Sequence, residues 1–129
     1  MTENTEPTTL GLSDDRHETL KVLKAEGYFP EMQDAYRFAI ALAARKVRDV
    51  NSLPDVRGSR TIFNVGTLDS DRRVRDLIEA VLDVPEGRIY KTAERLAEFG
   101  IGILGDRLRT GTLSFIDLIE ELQPEALGS

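Results

Sequence analysis

The chain contains no cysteine, which removes disulfides and thiolate metal sites and fits a reducing cytoplasm. Histidine occurs once, at His17, so no multi-histidine metal site can form and a single imidazole is available as a base. Long apolar runs are missing too. The longest, Phe38 to Ala44, falls far short of the roughly 20 residues that span a bilayer. The opening MTENTEPTT has neither a basic start nor an apolar segment, so no secretory signal and no membrane association are expected. Positive charge is in deficit: the formal net charge is -6, and the pI of 4.8 argues against coating nucleic acid by bulk attraction. A small local DNA-reading surface stays open. The length of 129 residues suits one domain or two very small modules.

What the chain does have is one segment able to act as a core, Tyr28 to Val47. Its apolar residues Met32, Ala35, Tyr36, Ala39, Leu42 and Ala43 follow helical spacing, and its centre, FAIALAA, is apolar on every side. Such a helix must be enclosed by its own chain or by a second copy. Pro30 suits its first turn, Asp34 its positive end, and Arg45, Lys46 and Arg48 its negative end. Upstream, residues 1–7 read as a disordered tail. Thr8 to Leu12 alternates as a short strand with Leu10 and Leu12 on one side and Thr9 and Gly11 on the other. Ser13 caps a helix running to about Glu26, whose thin stripe is Leu20 and Leu23 with Val22 beside them; Gly27 ends it.

This order of strand, helix, turn and greasier helix, from Thr8 to about Arg48, resembles the ribbon-helix-helix fold of bacterial repressors and antitoxins. The resemblance rests on element order and spacing. It implies a dimer in which two strands form an antiparallel ribbon that enters the DNA major groove, while the second helices pack together. The physical reading agrees: the strand has no partner within this segment, and a module of about forty residues is too small to bury a core alone. The dimer core would then comprise Leu10, Leu12, Leu20, Leu23, Ala35, Phe38, Ala39 and Leu42. DNA contact would fall to Thr9, Gly11, Arg16, Arg57 and Arg60. Two departures from the family pattern stand beside the match. No base-reading Arg occupies the outward strand positions, and Phe29-Pro30-Glu31 replaces the capping corner that would hold a phosphate.

Residues 49–60, with Pro54 and Gly58, read as a linker to a second, helical unit over 61–123. Arg60 to Leu68 forms a short strand in this reading, with Phe63 and Val65 on one face. Asp69-Ser70-Asp71 caps a third helix, Arg72 to Leu82, with Val74, Leu77, Ile78 and Val81 inward. Pro85 and Gly87 break it. A fourth helix runs from Ile89 towards Leu108 on Ile89, Ala93, Leu96, Ala97, Ile101 and Leu104. Ser114 caps a last one, Phe115 to Leu122, with Phe115, Leu118, Ile119 and Leu122 inward, before a tail at 124–129. The expected fold is mainly α: a strand-helix-helix dimer module followed by a small helical C-terminal unit.

Gly100, Gly102 and Gly105 spell G-x-G-x-x-G, but they follow a helical pattern rather than a strand, so close approach to a neighbouring backbone, or a kink, accounts for them better than a nucleotide. The acidic pairs Asp14/Asp15 and Asp69/Asp71 sit where helix starts favour negative charge, and Glu120/Glu121 face solvent. The basic groups Arg45-Lys46-Arg48, Arg57 with Arg60, and Arg72-Arg73-Arg75 have acids close by. No constellation unites a nucleophile, a base and an orienting group, so a non-enzymatic protein without cofactor or metal is expected. Two functions remain: a dimeric DNA-binding regulator of the ribbon-helix-helix type, and an acidic accessory or adaptor protein that dimerises and docks on a larger protein within a bacterial assembly.

Overall fold

The computed structural model describes residues 7–47, 49–53, 55–56, 60–114 and 120. Residues 1–6 of the expected tail at 1–7, the expected tail at 124–129, the last helix apart from the exposed Glu120, Arg48 and Arg57 lie outside these residues. The elements are β1 (Thr9–Leu12), α1 (Asp14–Ala25), α2 (Met32–Lys46), a 3-10 turn (Val50–Ser52), β2 (Arg60–Asn64), α3 (Val65–Leu68), α4 (Arg73–Val81) and α5 (Ile89–Thr110). The chain is mainly helical, with one small antiparallel sheet of two strands. Among the described residues, no helix is long and apolar enough to cross a membrane.

Helix ends follow local chemistry. The Ser13 side chain accepts from the Arg16 N–H at the start of α1, and Gly27 leaves its end with a left-handed φ of 83°. At the start of α2 the Glu31 N–H donates to the Asp34 carboxylate at 3.2 Å. Pro30 therefore precedes the helix instead of filling its first turn. The expected strand from Arg60 to Leu68 divides in two: β2 stops at Asn64, and Val65 to Leu68 turns into α3. Gly66 and Asn64, both poor strand residues, lie at that division.

The larger correction concerns what covers β1 and α2. The resemblance implies that the strand pairs with that of a second copy, yet it pairs antiparallel with β2 of the same chain, Leu10 opposite Phe63 and Leu12 opposite Arg60, with a bulge between Leu10 and Gly11. Helix α2 was expected to find shelter chiefly in a second copy. Instead it packs most extensively on α5, which also contacts α1, α4 and β1. Of the residues assigned to a dimer core, Leu10, Leu12, Leu20, Leu23, Ala35, Ala39 and Leu42 are buried within the one chain; Phe38 is partly buried against Phe29, ring centroids 5.4 Å apart. The segment at 49–60 thus does not separate two cores: residues from both sides of it build one. The physical reason is that strand-helix-helix alone is too small to close on itself, and the missing area comes from α5.

Candidate functional site

Of the residues assigned to DNA contact, Arg57 lies outside the described residues, and Gly11, Arg16 and Arg60 are engaged in contacts within the chain. Thr9 is exposed, but Gly11 is buried with both backbone groups engaged: its N–H donates to Glu94 Oε2 at 2.8 Å, and its carbonyl accepts from the Tyr36 hydroxyl at 3.0 Å. A Cβ at Gly11 would stand 2.7 Å from the Arg60 carbonyl oxygen, so the residue serves close strand pairing rather than display. Arg16 is held inward. Its Nε donates to the Glu98 carbonyl at 3.2 Å, and its Nη1 pairs with Asp15 at 2.8 Å. Arg60 pairs with Asp14 at 2.9 Å. Of the Arg72-Arg73-Arg75 group, Arg73 pairs with Asp71 and Arg75 with Glu79 and Glu86.

Two acids that the sequence reading did not single out tie the N-terminal segment to α5. Glu94 holds the Gly11 N–H, while Glu98 accepts from the Ser13 N–H at 3.1 Å and from the Ser13 hydroxyl at 2.7 Å. They stand four residues apart beside Ala93, Ala97 and Ile101, and that was the available signal: acids bordering the buried stripe of a helix need partners. Burial foremost, then the negative charges of Glu94 and Glu98, raises the Tyr36 hydroxyl well above the usual phenol range. In this seam the Ser13 hydroxyl donates to the Glu98 carboxylate and accepts from the Arg16 N–H, so it is engaged in closing the start of α1. Every polar group in it closes a backbone or side-chain hydrogen bond, and its chemistry is that of a staple.

Asp69 forms a second buried polar centre. Its carboxylate accepts from the Val74 N–H at 2.8 Å, the Arg75 N–H at 3.1 Å and the Tyr90 hydroxyl at 2.6 Å. It thereby caps α4, as the Asp69-Ser70-Asp71 reading expects, and links that cap to α5. Burial first, then the hydrogen bond and charge of Asp69, pushes Tyr90 up to about 12. Among the described residues no group of three or more His, Cys, Asp or Glu side chains is gathered to hold a metal.

The glycine motif on α5 is accounted for by packing. A Cβ at Gly100 would lie 2.1 Å from the Ala39 carbonyl oxygen, which is where α2 and α5 touch backbone to backbone. The Arg16 guanidinium lies over Gly102, and Thr19 lies beside Gly105.

One surface stands apart from these closed networks. Val81, expected inward with Val74, Leu77 and Ile78, is 47% exposed, while Val74 and Ile78 are buried. It and Leu82 form a shared wall between two hollows. One, of about 420 Å³, is lined by Asp49, Val50, Asn51 and Asp83; the other, of about 490 Å³, by Ala44, Arg45 and Val47. The apolar stripe of α4 thus runs past the core that it packs on and ends in an open cleft beside the C-terminus of α2.

No family model matches the chain, and no curated protein or solved structure is significantly similar to it. The functional reading therefore rests on the cleft and on the residues closed elsewhere.

Proposed function

We propose that this chain is a small, acidic, non-enzymatic accessory protein that docks on another protein through the cleft between the ends of α2 and α4. One observation carries the reading: Val81, an apolar residue in register with the buried face of α4, is left exposed beside partly buried Val47, Val50 and Leu82. An open apolar residue among partly buried apolar neighbours, edged by polar residues, gives a partner an apolar centre to cover and a polar rim. Photo-crosslinking from position 81 in the cells that make the protein should join it to one partner in fixed ratio, whereas the same group at Val22, the other exposed large apolar residue on the described surface, should not. Equal labelling from both positions would argue for random contact.

A second reading, the DNA-binding regulator, keeps the observed order β1-α1-α2 in its favour. Against it stand the sealed Gly11 backbone, the acid-paired Arg16 and Arg60, and the net charge of -6. Micromolar protein should accordingly give no mobility shift of genomic fragments even at low salt. A shift that fades steeply as salt rises would restore the regulator.

A further inference from the structure

The docking cleft has a charge pattern that selects its occupant. Among the described residues Asp83 has no ion-pair partner, and the Asp49 carboxylate accepts from the Asn51 N–H, at 3.0 Å, and from no cation. Both acids are exposed on the rim of the same hollow, above Val50, Val81 and Leu82. Helix α4 ends at Val81 with no basic residue in its last turn, so the partial negative charge of its C-terminus adds to these carboxylates, whereas Arg45 and Lys46 offset that of α2. Arg45 lines the second hollow, which gives the cleft an acidic end and a basic end.

From this pattern, and resting on the protein-docking reading above, we propose that the occupant is a segment of a different protein. It places an aliphatic side chain against Val81 and Leu82, and a lysine or arginine beside it against Asp49 and Asp83. A second copy of this chain fits poorly. It carries the same net charge of -6, and like net charge opposes self-association. Nucleic acid and anionic lipid meet the same repulsion at this end.

The test uses the full chain with a photo-crosslinking residue at position 81, reading the joined peptide by mass spectrometry. The expected product is a peptide from another protein with an aliphatic residue flanked by lysine or arginine. Capture of that partner by the unmodified chain should fall at least tenfold in Asp83→Lys and decline with rising salt. Asp83→Asn, which removes the charge without reversing it, should give a smaller loss. Both substitutions are at an exposed position, and circular dichroism checks that each variant folds. A joined peptide that is acidic, or that comes from a second copy of this chain, overturns the proposed chemistry and leaves the use of the cleft standing. A partner captured undiminished by Asp83→Lys also overturns it. Absence of any partner, with the chain folded, overturns the docking reading itself.

Discussion

At the scale of single residues, Gly100 and Gly66 make a contrast that sequence alone does not draw. Both lie in helices, where glycine costs roughly 1 kcal/mol relative to alanine. At Gly66 nothing stands within 4 Å of an added Cβ, so Gly66→Ala should stabilise the protein by about 0.5 kcal/mol. At Gly100 the added atom meets the Ala39 carbonyl of α2, part of a backbone that cannot turn aside. Gly100→Ala should therefore destabilise by about 3 kcal/mol, through forced separation of α2 and α5. Urea unfolding of the two variants measures both signs. Tyr90 supplies a pH signature. Its neutral form is favoured in the folded chain, where it titrates at about 12, against about 10 when unfolded. Its contribution is complete below pH 10 and is lost between pH 10 and 12, because there the unfolded chain releases a proton that the folded chain retains. Tyr36 acts in the same direction. Stability should fall over that alkaline range, and Tyr90→Phe should shallow the fall in the urea midpoint followed from pH 8 to 11.5.

At the scale of elements, the cap of α4 ties local sequence to tertiary structure. Asp69→Ala removes the acceptor for two helix N–H groups and for the Tyr90 hydroxyl together, and should cost about 3 kcal/mol, whereas Asp71→Ala, at an exposed cap position, should cost less than about 1. Hydrogen exchange at Val74 and Arg75 would locate the loss. Such caps were legible in advance. Ser13, Gly27 and Asp69 each act within a few residues, so the boundaries of α1 and α4 could be read from neighbours along the chain. The extent of α5 was legible from Ile89, Ala93, Leu96, Ala97, Ile101 and Leu104, because one periodic stripe marks one buried face. The pairing of β1 with β2 was not. Leu10 and Phe63 are far apart in sequence, and alternation at Thr9 to Leu12 shows that a strand has two faces without saying which strand lies alongside. Val81 misled for a related reason: its spacing states which side of α4 it shares with Ile78, not how far the neighbouring elements extend.

At the scale of the whole molecule, the same ambiguity governed α2. An all-round apolar helix demands cover, and periodicity does not tell whether that cover comes from the same chain or from another. With Ala39 against Gly100, and Leu10, Leu12 and Tyr36 all enclosed, folding of this core needs no second molecule. The midpoint of thermal unfolding should stay constant over a hundredfold range of protein concentration, whereas a core completed by dimerisation would make it rise with concentration. The candidate cleft was hidden from sequence because Asp49 and Val50 meet Val81, Leu82 and Asp83 only once α2 and α4 are docked.

The staple on Gly11 has one more consequence. A newcomer approaching β1 from that side must first evict the Glu94 carboxylate and the Tyr36 phenol, so of the two described strands β2 is the readier template. Fibrils grow because each recruit exposes a fresh edge like the one it covered. Here the recruit's far side is already plugged, and stacking by this route ends after a single pairing.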